Sequence, residues 1–209
     1  MIDVNHLVKR YGQAAVLNDV TVQFEREKIH GLIGRNGSGK TMLIRCICGL
    51  IRPTSGTITV DGARVVDGVI PKNLGAIVET PGFLPYYSGM RNLLLLASIQ
   101  KRVEKTIVQE AMRMVGLDPG SRKWVSKYSM GMKQRLGIAQ AVMEDPDLLL
   151  LDEPMNGLDN AGVKDMRALF KALRARGKTI LLASHNLQDI EELCDTVCEM
   201  DLGTLTRVR

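Results

Sequence analysis

Length, composition and charge already restrict the kind of protein that this chain can be. Its 209 residues and 23.1 kDa suffice for one sizeable domain with lobes but hardly for two independent domains. A hydrophobic fraction of 45% and a charged fraction of 24% are ordinary for a globular protein and exclude a disordered chain. The net charge of +5 favours an anionic neighbour, either nucleic acid or the inner face of a membrane.

The sequence also excludes two further classes, proteins that span a membrane and proteins that bind single-stranded nucleic acid. The longest apolar runs, such as 93–97 and 148–151, are far shorter than the roughly 20 residues of a transmembrane helix. Residues 1–6 resemble no secretory signal, so we expect a cytoplasmic location. Aromatic residues make up only 4%, which leaves a single-strand binder without stacking platforms, and we expect no nucleic-acid partner.

The four cysteines fall in two close pairs, Cys46 with Cys48 and Cys194 with Cys198. These spacings match no standard zinc pattern, and no histidine lies close to either pair. Reduced, partly buried thiols are therefore expected, as in a reducing compartment, and metal binding is the alternative.

The first predicted elements are antiparallel strands. Residues 1–30 alternate apolar and polar positions around a turn at Gly12, and residues 56–62 have the pattern of a second hairpin. Residues 29–33 predict a buried strand that leads into a glycine-rich loop, and residues 41–48 predict the helix that leaves it.

After residue 82 the pattern becomes helical. Helical spacing is found at 90–102, 104–115 and 130–143, so we interpret 82–143 as a helical insert. Buried strands are predicted again at 147–151 and 179–183, on either side of an amphipathic helix. This alternation of strands and helices favours a parallel sheet covered on both faces.

The most specific motif is the glycine-rich loop, which matches G-x-x-x-x-G-K-[ST] in full. Its glycines let successive amide groups point at one anion, Lys40 adds a charge over the β- and γ-phosphates, and Thr41 offers its hydroxyl to Mg²⁺. The dipole of the following helix is aimed at the same phosphates. The predicted nucleotide-binding residues of this loop are Gly34, Asn36, Gly37, Ser38, Gly39, Lys40 and Thr41.

A pair of acids forms the second motif. Four leucines at 148–151 predict a buried strand that delivers Asp152 and Glu153 at its carboxyl end, where parallel sheets bind ligands. Asp152 suits the Mg²⁺ shell, and Glu153 would polarise the water that attacks the γ-phosphate. Taken alone, this stretch also fits a strand end capped by solvated acids.

The third motif is a predicted helix start. Ser129 is a good N-cap, and its hydroxyl with the following amides, including that of Gly131, predicts a second anion site. A single nucleotide would hardly need two distant phosphate sites. We therefore expect each site of one subunit to complete the pocket of another subunit.

With these three motifs in this order, essentially the whole chain resembles the ATP-binding subunit of an ABC transporter. Residues 128–132, Tyr-Ser-Met-Gly-Met, correspond to the signature usually written L-S-G-G-Q. The resemblance implies an α/β P-loop NTPase with a parallel sheet core, an N-terminal antiparallel β subdomain and an inserted α-helical subdomain. Within a single domain, 1–209, the expected divisions are 1–30 with 55–80 for the antiparallel lobe, 82–143 for the insert, and 29–55 with 144–209 for the core.

The resemblance also implies roles for single residues. Tyr11 would stack on adenine, and Asp159, in the loop 156–159, would contact the nucleotide across the dimer. His185 resembles the switch histidine that contacts the γ-phosphate, so Lys40, Glu153 and His185 form the expected catalytic set. Considered singly, Tyr11 also fits an ordinary surface residue near a turn. His185 likewise fits a polar residue whose hydrogen bonds are satisfied and which has no catalytic role.

Two positions depart from the family pattern. Met130 replaces the first signature glycine but leaves Ser129 and Gly131 in place, so we expect activity to survive. Glu79 stands where most members have glutamine; it is expected in the nucleotide pocket as a Mg²⁺ ligand, and its charge is tolerable only while the divalent ion is present. A solvated acid at a strand end is the alternative. Together these features resemble the branch with bacitracin-resistance and lantibiotic-immunity transporters.

The resemblance implies an ATPase with ATP and Mg²⁺ as cofactors. Its expected partners are a twin or paired ATPase subunit and an integral membrane permease, with the chain peripheral on the inner face of the membrane. ATP-driven dimerisation would then drive export of an antimicrobial peptide or antibiotic. The segment 81–87 contains prolines, glycine and aromatics, and it suits either a permease contact or ordinary loop packing.

Two other classes remain open at this point. A soluble ABC-type ATPase would act on nucleic acid or ribosomes; members of that class carry coiled coils, zinc modules or a second cassette, which this sequence lacks. A P-loop kinase would leave the Ser129 segment without a purpose. Salt-sensitive binding to duplex or ribosomal RNA would favour the first class.

Overall fold

Two β-sheets organise the chain in the computed structural model, which describes residues 1–79, 82–100 and 104–209. The first sheet is antiparallel with strand order β2-β1-β4-β5. Its strands are β1 (Ile2–Tyr11), β2 (Ala14–Phe24), β4 (Ser55–Val60) and β5 (Ala63–Arg64). Alternate residues of β1 and β2 are buried, as the period-2 pattern predicts.

The second sheet has the order β10-β9-β3-β8-β7-β6 and is parallel except for the terminal hairpin of β9 and β10. Its central strands are buried along their whole length because the antiparallel sheet and the helix at 40–47 cover one face, and further helices cover the other. The strands are β3 (Ile29–Ile33), β6 (Leu74–Ile77), β7 (Leu148–Asp152), β8 (Thr179–Ala183), β9 (Thr196–Asp201) and β10 (Thr204–Arg207).

One expected division is wrong. Residues 55–80 were assigned to the antiparallel lobe, but β6 pairs in parallel with β7 and belongs to the core sheet. Partly and fully buried positions alternate along β6, so this four-residue strand shows the burial pattern of an antiparallel lobe although its partner is parallel. Strands β9 and β10 also complete the core sheet and were not predicted.

Six α-helices accompany the sheets: α1 (Lys40–Ile47), α2 (Gly89–Gln100), α3 (Lys105–Met114), α4 (Met130–Val142), α5 (Asn160–Ala175) and α6 (Leu187–Leu193), counted within the described ranges. The first five agree with the helical segments predicted from the sequence, whereas α6 was not predicted. Residues 101–103, which include the end of the first predicted insert helix, lie outside the described part of the chain. Residues 80 and 81 lie outside it as well.

Helix α4 connects the helical region to the core sheet. It contacts both α3 and β6, and a Cβ built on Gly75 of β6 would come within 2.0 Å of the carbonyl oxygen of Ala141, near the end of α4. One hydrophobic cluster accordingly runs from Met112 through Leu136 to Leu151. The expected insert 82–143 therefore includes a helix that packs on the core.

Candidate functional site

The carboxyl ends of four neighbouring strands meet at one edge of the core sheet. In the order β3-β8-β7-β6 these ends lead into the glycine-rich loop, His185, Glu153 and Glu79. The register aligns Asp152 with Ala183 and Ala183 with Leu32, so the residues that follow lie side by side. This is the edge at which parallel sheets bind ligands.

The glycine-rich loop turns tightly between β3 and α1. A Cβ on Gly34 would lie 2.2 Å from the Met200 carbonyl oxygen, and φ at this residue is +147°. A Cβ on Gly39, at φ +118°, would lie 2.9 Å from the Val16 carbonyl oxygen. Larger residues are excluded at both positions by backbone atoms of β9 and β2, which therefore fix the path of the loop.

Polar groups inside this loop fit an anionic ligand. The buried Lys40 donates through Nζ to the carbonyl oxygens of Gly34, at 2.6 Å, and Arg35, at 3.2 Å. Within the described residues, the buried Ser38 hydroxyl oxygen has no hydrogen-bond partner. A buried hydroxyl and a buried ammonium at a helix start are the groups that bind phosphate.

Thr41 and Asp152 are joined directly at the base of the cavity. The Thr41 hydroxyl donates to the Asp152 carboxylate at 2.6 Å, although the two residues are 111 positions apart. Burial raises the pKa of Asp152, and repulsion from Glu153 and Glu79 adds to this, while the Thr41 hydrogen bond and Lys40 oppose it. A hydroxyl oxygen beside a buried carboxylate is a ligand pair that suits a divalent cation, and such a cation also binds phosphate oxygens.

Glu153 and His185 form a second polar pair at this edge. Nδ1 of His185 lies 2.9 Å from Oε2 of Glu153. The Glu153 amide donates to the Ala183 carbonyl oxygen at 2.9 Å, and its φ of +50° is in the left-handed region. Because non-glycine residues rarely adopt that conformation, the turn after β7 is a constrained one.

Glu79 faces the same cavity from β6. Its carboxylate forms an ion pair with Arg45, which lies on α1 one turn beyond Thr41. Both side chains line a cavity of about 520 Å³ that also contains Lys40 and Asp152. The negative charge that this chain has in place of glutamine is therefore matched by a nearby positive one.

The structure brings most of the predicted nucleotide and metal residues to this cavity. Its lining includes Asn36, Gly37, Gly39, Lys40, Thr41, Glu79, Asp152 and Glu153. Tyr11 does not line it: the ring is about half exposed at the end of β1, with Lys9 Nζ 4.7 Å from its centroid. Gly34 and Ser38 line the far side of the glycine-rich loop instead.

Ser129, Gly131 and Asp159 lie together in a different cavity of about 860 Å³. The Ser129 hydroxyl caps α4 by accepting from the Met132 amide at 3.2 Å, and Asp159 caps α5 by accepting from the Gly162 amide at 2.9 Å. The predicted N-cap at Ser129 is thus present. None of these three residues lines the cavity of the glycine-rich loop.

Sequence reasoning missed several residues of the first cavity. Arg45 lines it but belongs to no motif. Gln134 and Asn156 also line it, although Gln134 lies just after the signature 128–132 and Asn156 lies in the loop 156–159, which the resemblance assigns to the contact across the dimer. Arg45 follows Thr41 by four residues, so helical spacing alone indicates that it shares the face of that residue. Gln134 and Asn156 reach the cavity only through the packing of α4 against the turn after β7, which no local pattern reveals.

Known proteins resemble this chain along nearly its whole length. The ABC transporter family matches residues 17–156. An uncharacterised ABC transporter ATP-binding protein of Bacillus subtilis, YybJ, is 43% identical over 98% of this chain and 94% of its own length. The bacitracin transport ATP-binding protein BcrA of Enterococcus faecalis is 41% identical over 98% of this chain and 68% of its own length. The lantibiotic transport ATP-binding protein SrtF of Streptococcus pyogenes is 35% identical over 94% of this chain and 85% of its own length.

The fold is shared with solved ATP-binding cassettes. The dimeric structure of MJ0796, a bacterial ABC transporter cassette, aligns with a TM-score of 0.89 and 20% identity over 100% of this chain and 99% of that one. Within residues 1–79, 82–100 and 104–209, no helix is both long and apolar enough to span a bilayer. The relatives and the family match confirm the predicted fold class and the resemblance to the bacitracin and lantibiotic branch. The chain belongs to the ABC transporter family, as an ATP-binding subunit that binds and hydrolyses ATP.

Proposed function

We propose that two copies of this chain, or this chain and a paired ATPase subunit, close around two Mg·ATP molecules and thereby drive a membrane exporter of a peptide antibiotic. One observation carries the proposal: the glycine-rich loop and the Ser129 helix start line two separate cavities of the same chain. Each cavity presents groups suited to phosphate, and each lacks the groups that the other supplies. Two such chains arranged head to tail would complete both.

In the first half-site, Lys40 and the loop amides would hold the β- and γ-phosphates. Thr41, Asp152 and Glu79 would hold Mg²⁺, which supplies charge compensation for the phosphate oxygens. The direct contact of the Thr41 hydroxyl with the Asp152 carboxylate supports this assignment, because both groups are ligands of hard cations. Tyr11 would lie over the adenine from the exposed end of β1.

Glu153 and His185 would carry the hydrolytic step. The Glu153 carboxylate would accept a proton from the attacking water, and His185 would contact the γ-phosphate. Their hydrogen bond supports the pairing, because Nδ1 of His185 fixes one carboxylate oxygen and leaves the other for water. Glu153 directly follows β7 and His185 lies two residues after β8, so the core sheet positions both side chains.

The second half-site would bind the γ-phosphate of the nucleotide held by the other subunit. The amides at the start of α4, including that of Gly131, point along the helix axis and carry the positive end of its dipole. Asp159 lies in the same cavity, in the loop expected to cross the dimer. ATP shared in this way would favour the closed pair, and loss of the γ-phosphate would reopen it.

An exposed aromatic surface supports a membrane partner. Leu84, Tyr86 and Trp124 are each about half exposed or more, and the rings of Tyr86 and Trp124 meet edge to face at 5.8 Å between centroids. Aromatic groups of this kind are enriched where proteins dock. We infer that a cytoplasmic segment of the permease binds here, so the chain would lie on the inner face of the membrane. The bacitracin transport of BcrA and the lantibiotic transport of SrtF support a peptide antibiotic as cargo.

Gel filtration of a hydrolysis-blocked variant tests the proposal. Glu153→Gln with ATP and Mg²⁺ should elute as a dimer and hydrolyse ATP at least about a hundredfold more slowly than the wild type. The same variant carrying Ser129→Arg should elute as a monomer although ATP still binds. Lys40→Ala, in contrast, should weaken ATP binding itself, as measured by equilibrium dialysis. A monomer with full turnover for Glu153→Gln would refute the mechanism.

A further inference from the structure

Helix α4 contacts the hydrolysis site of its own chain through one buried amide. Nε2 of Gln134 donates to the backbone carbonyl oxygen of Glu153 at 3.2 Å. Gln134 is buried, and its side chain lines the cavity of the glycine-rich loop. This polar contact belongs to neither half-site as described above.

The backbone of Glu153 needs such a contact. Its φ of +50° is unfavourable for a residue with a Cβ, so neighbouring groups must hold it. The Glu153 amide is held by Ala183, and the Glu153 carbonyl oxygen accepts from the amide of Asn156 at 3.2 Å as well as from Gln134. The two donors on this carbonyl oxygen fix the orientation of the peptide group after Glu153. They thereby fix the direction in which the Glu153 side chain, with its carboxylate, leaves the backbone.

The start of α4 and the turn after β7 also pack against each other further along. A Cβ on Gly131 would lie 3.0 Å from the Gly157 carbonyl oxygen, and one on Gly157 would lie 2.7 Å from Cγ of Met130. Ser129, at the N-cap of α4, is five residues from Gln134, about 7.5 Å along the helix. A displacement of the helix start would therefore reach the Glu153 peptide through a short, packed path.

We propose that Gln134 is a positioning residue that ties the direction of the Glu153 carboxylate to the position of α4. This inference rests on the proposed function, in which the start of α4 binds the nucleotide of the other subunit. Occupation of that second half-site would then adjust the water-activating carboxylate of the first, within one chain. The two nucleotides of a closed pair would influence each other through Gln134.

The substitution Gln134→Met tests this role because methionine keeps the length and buried volume but removes the donor. We expect kcat for ATP hydrolysis to fall by about tenfold, as for a small displacement of a catalytic group, while KM for ATP changes by less than about twofold. The Hill coefficient of ATP hydrolysis should fall towards 1. The dissociation constant of a fluorescent ATP analogue should stay within about twofold of the wild type.

Gln140→Met on the same helix is the matched control, since Gln140 has no hydrogen bond to Glu153 within the described structure. It should leave kcat and the Hill coefficient unchanged. Equal losses in both variants, or a fall in ATP affinity and melting temperature that accompanies the fall in kcat, would show a purely structural role and overturn the inference. An unchanged kcat in Gln134→Met would overturn it as well.

The Glu153→Gln variant separates this inference from the proposed function. If that variant turns over at the wild-type rate, the proposed role of Glu153 fails and the inference fails with it. If Glu153→Gln is slow but Gln134→Met is normal, only the positioning role is refuted. In the double variant, Gln134→Met should add nothing further to the loss of turnover, because the group that it positions is already disabled.

Discussion

Nδ1 of His185 and Oε2 of Glu153 lie 2.9 Å apart, at the ends of the adjacent parallel strands β8 and β7. The histidine side chain is 59% exposed and the glutamate 21%, so the pair forms the solvent-facing wall of the catalytic edge. Glu153 directly follows β7 and His185 lies two residues after β8, so the pairing of these strands brings the two side chains within hydrogen-bonding distance. Their mutual orientation is therefore part of the folded structure.

The first prediction concerns that hydrogen bond. His185→Ala should lower kcat for ATP hydrolysis by roughly tenfold to a hundredfold, because the Glu153 carboxylate loses its orienting donor and the γ-phosphate loses a contact. ATP affinity should change by less than about threefold, since Lys40 and the loop amides are untouched. Phosphate release under saturating ATP measures the first quantity, and equilibrium dialysis the second. Unaltered turnover would remove His185 from the site.

A second prediction follows from the ion pair of Glu79 with Arg45. Glu79→Gln removes a negative charge close to the expected phosphates, so ATP binding in EDTA should become about fivefold tighter, whereas binding with Mg²⁺ should change little. The dissociation constant in EDTA divided by that with Mg²⁺, both from equilibrium dialysis, should therefore be smaller than in the wild type.

Arg45→Met provides the opposite change at the same place, because it leaves the Glu79 charge without its partner. Binding of ATP in EDTA should then be weaker than in the wild type. The assignment of Glu79 to the nucleotide pocket would be contradicted by equal Mg²⁺ dependence in all three proteins.

The third prediction addresses the methionine that replaces the first signature glycine. Gly157 has a φ of +76°, and its missing Cβ makes room for the Met130 side chain. Gly157→Ala should therefore lower the melting temperature by more than backbone strain alone does. The additional loss of unfolding free energy should be about 1 kcal/mol, which corresponds to roughly 2–4 °C for a chain of this size.

Gly177→Ala measures the backbone strain by itself, because Gly177 has a similar φ of +82° and nothing within 4 Å of a built Cβ. In a Met130→Gly background, the loss caused by Gly157→Ala should fall to that of Gly177→Ala. Differential scanning fluorimetry gives all the values. An identical loss in both backgrounds would exclude steric matching of Met130 with Gly157.

Local patterns account for the parts of the fold and site that could be predicted. The strand from 29 to 33, the loop from 34 to 41 and the acids after β7 are contiguous in sequence, so period and motif reveal them. The placement of β6 in the core sheet depends on its pairing with β7, more than 70 residues away, and a four-residue strand has too little pattern to indicate its partner.

The same reason explains the missed site residues. Gln134 donates to the backbone of Glu153 in the turn after β7, and the path of the loop at Gly34 is fixed by Met200 of β9, a strand that the sequence pattern did not show. These contacts join segments separated by tens of residues and follow from how helices and strands pack. A motif names the groups that touch the ligand, whereas the groups that hold them come from tertiary structure.

The last prediction concerns the four cysteines, which are all buried and unpaired in the part of the chain that the structure describes. Burial raises the pKa of Cys46 to about 11 and those of Cys48 and Cys194 to about 12, and it raises the pKa of Cys198 as well. Only the thiolate reacts with alkylating reagents, so at pH 8 a thiol with a pKa of about 12 is ionised in roughly one molecule in ten thousand.

Iodoacetamide at pH 8 should therefore modify Cys46, Cys48 and Cys194 in the native protein at least about a hundredfold more slowly than in guanidinium chloride, where these thiols regain ordinary pKa values. Raising the pH from 8 to 9 should speed the native reaction of these three cysteines by up to about tenfold, because their thiolate fractions are still far below saturation. Intact-mass spectrometry counts the adducts with time. Rapid alkylation of any of these three native cysteines at pH 8 would mean that its thiol is accessible, contrary to its burial.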